Sequence, residues 1–103
     1  MRHLVNLALF ARLEARPGKE EAVVELLTSA HRLAEDESAT VAWFAVRFGP
    51  STFAIFDAFP DEEGKQAHLN GKIAKALMDR APELFSKPPQ IEAGEVLAAK
   101  LPL

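Results

Sequence analysis

The chain has no cysteine. Disulfides, thiol nucleophiles, iron–sulfur ligation and thiolate zinc sites are thereby excluded, and the absence fits a reducing compartment. Tyrosine is missing as well, which removes the commonest phenolic hydrogen-bond donor from any pocket. No apolar run approaches the ~18 residues that a membrane span needs. The start, Met1-Arg2-His3-Leu4-Val5, carries one basic residue, is soon punctuated by Asn6, Arg12 and Glu14, and precedes no small-residue cleavage site. The cytoplasm is therefore the expected compartment and no membrane is an expected partner. Basic and acidic residues are interleaved at a net charge of −3; without a basic stripe to neutralise phosphates, no nucleic-acid partner is expected. His3, His31 and His68 show no metal-ligand spacing such as two histidines at i, i+4, so no metal is expected. Gly-x-Gly-x-x-Gly, phosphate-loop and Gly-x-Ser-x-Gly patterns are absent too, and no cofactor is implied.

What the sequence has in abundance is strand-like segments that are apolar on both faces. In Leu4 to Leu13, the residues Val5, Leu7, Leu9, Ala11 and Leu13 share one face, and Leu4, Ala8 and Phe10 make the other apolar apart from Asn6 and Arg12. Thr40 to Phe48 sets Ala42, Phe44, Val46 and Phe48 against Val41, Trp43 and Ala45. Phe53 to Phe59 sets Phe53, Ile55 and Phe59 against Ala54, Phe56 and Ala58. Strands buried on both faces read in this way.

Between them lie helical patterns. After the turn signal Arg16-Pro17-Gly18, the apolar residues Ala22, Val23, Leu26, Leu27, Ala30, Leu33 and Ala34 form one stripe of an amphipathic helix. Gly49-Pro50-Ser51 joins two strands as a hairpin. Asp61 is positioned to cap a short helix that reaches Asn70. Ile73 to Phe85 carries a third helical stripe, expected to kink or restart at Pro82, and Ile91 to Lys100 reads as a final strand. The 103 residues make one domain, with the order strand, helix, strand, strand, helix, helix, strand. This is an α+β, ferredoxin-like βαββααβ pattern with a four-stranded antiparallel sheet and helices on one face. The bare face carries apolar residues from three strands, a patch larger than monomers usually expose. A second copy packed face to face, a homodimer, is the expected cover.

That topology, together with Arg16-Pro17-Gly18-Lys19 before the first helix and the run from Phe53 to Leu69 containing Asp57 and His68-Leu69, resembles the antibiotic biosynthesis monooxygenase superfamily of dimeric α+β barrels. The resemblance covers nearly the whole chain and is more specific for fold than for reaction. It implies a small pocket in each subunit between sheet and helices. Some members use it to oxidise quinols or polycyclic phenols with O₂ and without metal, flavin or haem; others have no demonstrated chemistry. In such a reaction the substrate supplies the electrons, and the protein contributes positioning and a base. The leading reading is thus a cofactor-independent monooxygenase acting on a small aromatic quinol or phenol. The rival is a non-catalytic dimeric module that binds a small hydrophobic molecule or only serves structure. Haem-degrading relatives need an axial histidine on the third helix, and Ala74 to Arg80 contains none.

Several residues are candidates for the site. His68 shares a helical face with Gly64, Ala67 and Gly71 and has the side chain best suited to proton transfer near neutrality, as acceptor or as orienting donor; it could equally be a packing histidine. Asn6, a lone neutral polar residue in an apolar strand, either assists a ligand or bonds a neighbouring strand. Phe10, Trp43, Phe44 and Phe56 either wall a flat substrate or are plain core, with Leu77 on the third helix as a further lining residue. Asp57 is either a base or part of an ion pair or cross-dimer hydrogen bond. Arg47 reads as hairpin rim, and His31 as the edge of the first helix's stripe.

Overall fold

The computed structural model describes residues 4–102; Met1, Arg2 and His3, and with them the histidine nearest the start, lie outside the described residues. In chain order the elements are β1 (Leu7–Glu14), α1 (Glu20–Glu35), β2 (Ala42–Arg47), β3 (Thr52–Phe59), α2 (Glu62–Leu69), α3 (Lys72–Leu84) and β4 (Gln90–Glu95). The strands form one sheet in the order β2-β3-β1-β4 with every neighbouring pair antiparallel. This is the expected ferredoxin-like arrangement. The turn from β1 into α1 depends on Gly18, whose φ of 86° is a left-handed conformation that side chains disfavour.

All three helices pack on the face that carries Leu9, Ala11 and Leu13 of β1 and Phe53, Ile55 and Phe59 of β3, which are buried. Val23 and Leu27 of α1 and Leu77 and Leu84 of α3 complete the core there. Burying such side chains contributes roughly 1.5–3 kcal/mol each, so this one-sided core carries most of the fold's stability. On the opposite face, Phe44, Phe56 and Phe10 stand in one row across β2, β3 and β1, since Phe44 and Phe10 both pair with Phe56. Phe44 and Val46 are exposed, and Phe56 is 39% exposed. Beside the row, the Arg12 guanidinium lies 5.8 Å from the Phe10 ring centre and 5.7 Å from that of Phe48.

Two expectations need correction. The last strand was expected to run from Ile91 to Lys100, but β4 ends at Glu95. Its partner runs out: Glu95 pairs with Leu7, the first residue of β1, and Val96 N–H makes a final bond to the Asn6 carbonyl. Alternation of apolar residues continues past that point, but a strand needs a neighbour. Pro82 does not restart α3, which passes through it to Leu84. The proline falls in the last turn, where Phe85 N–H bonds the Ala81 carbonyl and Arg16 Nε donates to the Pro82 carbonyl at 3.1 Å.

Candidate functional site

Pro60-Asp61 ends β3 and starts α2: the Asp61 carboxylate accepts from Gly64 N–H at 2.9 Å, the standard satisfaction of a first-turn donor. About two turns later His68 lies on the buried side of α2. The strand pleat points Asp57 of β3 to the helix-covered face, between Trp43 and Leu9 of the adjacent strands. The two side chains meet there, His68 Nε2 lying 2.9 Å from Asp57 Oδ2, with Asp57 2% and His68 7% exposed.

The other ring nitrogen is also engaged. His68 Nδ1 lies 2.6 Å from Oε1 of Glu37, in the connection that follows α1. A carboxylate only accepts hydrogen bonds, so two carboxylates on the two ring nitrogens require both nitrogens to carry hydrogen. With both carboxylates ionised, His68 is an imidazolium that donates both ways. Burial lowers its pKa, but hydrogen bonds to Asp57 and then Glu37, with the attraction of both charges, prevail and raise it from 6.5 to about 9. The ring also packs on Phe59, with centroids 5.3 Å apart. In this state His68 has no lone pair with which to accept a proton.

One cation against two carboxylates leaves the cluster with one surplus negative charge. Asp57 Oδ1 is buried and has no hydrogen-bond partner among the described residues, an expensive arrangement for an anionic oxygen. Asp57 and His68 both line a cavity of about 40 Å³ whose other walls are apolar, including Leu9, Ile55, Ile73 and Leu77. That is room for more than one water-sized group. Ile91 of β4 also borders it and is 49% exposed.

The sequence candidates separate into two groups. His68, Asp57 and Leu77 converge on the cavity. Asn6 does not: it is exposed, on the opposite side of the chain from buried Val5, and its Nδ2 donates to the Pro60 carbonyl at 2.9 Å. The aromatic residues do not form one wall either. Phe10, Phe44 and Phe56 lie on the helix-free face, whereas Trp43 faces the helices and packs against the core beside α1. Adjacent residues of a strand, such as Trp43 and Phe44, must point to opposite faces. Ala67, expected to share the inward face of His68, is exposed. Glu37 was missed, because it sits in a connection where no periodicity marks it. Among the described residues no group of histidine, cysteine or acidic side chains is placed to hold a metal ion.

NE2512, a protein of unknown function from Nitrosomonas europaea, has a crystal structure that matches this one with a TM-score of 0.96. It is 62% identical over 98% of each chain. The chain belongs to the same family as NE2512. PA3566 from Pseudomonas aeruginosa matches with a TM-score of 0.79 at 20% identity, covering 93% of this chain and 99% of its own. An antibiotic biosynthesis monooxygenase matches with a TM-score of 0.78 at 14% identity, covering 89% of this chain and 99% of its own. The chain shares its fold with that antibiotic biosynthesis monooxygenase. Neither a family model nor a curated protein matches the chain.

Proposed function

We propose that this chain is a cofactor-independent monooxygenase that oxidises a small aromatic quinol or phenol with O₂, and that Asp57 is its base. The observation that carries the reading is that Asp57, whose Oδ1 is buried without a partner, lines together with His68 a cavity whose remaining walls are apolar. A phenolic hydroxyl supplies the missing hydrogen bond. The aromatic ring is taken up by the apolar part of the lining, which includes Ala74, Leu77 and Ile91.

Proton transfer to Asp57 neutralises the surplus charge of the cluster and converts the phenol to an electron-rich anion. That anion reduces O₂. For a quinol, one oxygen atom enters the ring and the other leaves as water, so the product is a hydroxyquinone. The substrate supplies all the electrons that O₂ accepts. The proton held on Asp57 returns to the reduced oxygen, and the residue ends the cycle as a carboxylate. His68 keeps Asp57 Oδ2 occupied and so leaves Oδ1 as the oxygen that reacts.

The helix-free face supports association of two copies as part of this reading. Phe44, Phe56 and Val46 form an apolar surface that one protomer does not cover, and the chain beyond Glu95 extends past the end of its own sheet partner. Face-to-face packing of two sheets buries the first, and each copy keeps its helices and cavity outside.

Oxygen consumption with a panel of small quinols and phenols tests the activity. Wild-type protein is expected to consume O₂ with at least one of them, Asp57→Asn to lose that rate, and His68→Ala to lose most of it. A panel that gives no turnover with the wild type, or a rate untouched by Asp57→Asn, refutes the proposal.

A further inference from the structure

The connection between α1 and β2 is built to deliver one carboxylate to the back of His68. Thr40 Oγ1 donates to Glu37 Oε1 at 2.8 Å, and Thr40 N–H bonds the Glu37 carbonyl. The same Oε1 receives His68 Nδ1–H at 2.6 Å. Gly71, which precedes α3, makes room: a Cβ there would come within 2.9 Å of Glu37 Oε2 and 3.2 Å of two backbone carbonyls of α2. Glu37 is only 19% exposed, and no lysine or arginine pairs with it among the described residues. The groups facing His68 are thus Asp57 from β3 and Glu37 from the connection, with the Phe59 ring alongside.

Resting on the proposed activity, we infer that Glu37 is a positioning residue that acts through His68 to make Asp57 the proton acceptor of the site. Two effects follow from its place. Accepting from Nδ1 fixes the ring so that Nε2–H points at Asp57 Oδ2. Sharing the one cation between two carboxylates leaves the cluster a surplus negative charge beside the cavity that Asp57 lines. With Glu37 removed, Asp57 and His68 would form a closed neutral pair. When His68 loses its proton, the ring has one hydrogen for two carboxylates and the arrangement breaks down.

The test follows the His68 ring nitrogens by NMR in protein labelled with ¹⁵N-histidine, alongside the pH profile of quinol-dependent O₂ uptake. In the wild type both ring nitrogens are expected to carry hydrogen at neutral pH. Glu37→Gln keeps the shape of the side chain and should bring the titration midpoint of His68 down by at least one pH unit. Gly71→Ala, which leaves the carboxylate in the chain but crowds its seat, should move the midpoint the same way by less. Glu37→Asp should restore part of the wild-type value. The alkaline limb of kcat/KM should move with the NMR midpoint through the series, a correlation that a merely structural role would not produce.

A His68 midpoint unmoved by Glu37→Gln, or an alkaline limb that stays in place while the midpoint moves, overturns the inference. Lack of turnover by the wild type overturns the proposed activity, and the inferred role for Glu37 with it. The NMR titration still decides in that case whether Glu37 controls the charge of His68.

Discussion

His68 Nε2 donates to Asp57 Oδ2 at 2.9 Å and so fastens α2 to the middle of the sheet, at a point where both side chains are nearly inaccessible to water. The bond joins an ionic group on a helix to one on a strand, and its strength depends on the charge of the ring.

The first expectation concerns pH and stability. The pKa of His68 is about 9 when folded against about 6.5 in an unfolded chain. The contribution is complete below pH 6.5 and is lost as pH rises through 9. On this ground alone, unfolding free energy should fall by about 3 kcal/mol across that window. Urea denaturation at intervals from pH 6 to 10 measures it, and His68→Gln should flatten this part of the curve. A wild-type profile that is already flat contradicts the assignment.

Removing one member of a buried ion cluster strands its partners. Asp57→Ala leaves His68 with Glu37 alone and opens space next to the cavity, and should cost roughly 3–5 kcal/mol. Asp57→Asn retains an acceptor for Nε2–H and should cost less. Thermal and chemical denaturation of the two variants check the order. Equal costs would mean that packing, rather than hydrogen bonding to the ring, governs this position.

The cap of α2 offers a milder perturbation. Asp61→Ala deletes the bond to Gly64 N–H and should destabilise the protein by about 1 kcal/mol. Because the cap lies about two turns from His68, the ring's titration midpoint should hardly move, which NMR can verify. A large shift would show that α2 is poorly anchored to the sheet.

On the helix-free face, Phe44→Asp and Phe56→Asp place a carboxylate in the aromatic row that the proposed dimer buries. Either substitution should convert a dimeric wild type to a monomer at micromolar concentration, as read by light scattering after size-exclusion chromatography. Met78→Asp, at an exposed position on α3, should leave the assembly unchanged. A wild type that is already monomeric disproves the face-to-face arrangement.

Much of this structure was legible because hydrophobic periodicity reports burial directly. The two-faced strands, the stripe of α1 and the capped start of α2 at Asp61 all appear where the spacing places them. Period-two alternation outran the strands at Leu4 to Asn6, ahead of β1, and at Val96 and beyond, after β4. The site was legible in part. Asp57 and His68 stood out as polar residues on apolar faces, and they meet. Their bond could not be read from the chain, because it depends on how far α2 is tilted over β3. Glu37 left no trace, since a glutamate in a connection looks like any solvated one until Gly71 and Thr40 are seen to seat it. Asn6 makes the bond to a neighbouring strand's end that was one of its two readings, but not from a buried position. Its apolar neighbours implied burial, whereas the strand begins after it and its amide serves the Pro60 carbonyl at the surface.

The strand order β2-β3-β1-β4 also has a kinetic consequence. Of the four strands, the one synthesised first occupies an interior place in the sheet, between β3 and β4, which follow it in the chain. Leu7–Glu14 must therefore wait on the ribosome without either neighbour, and its second edge closes only after Gln90–Glu95 has emerged. Pairings so distant along the polypeptide form slowly, and until they do, an unpaired apolar ribbon is open to capture by chaperones or by another nascent chain.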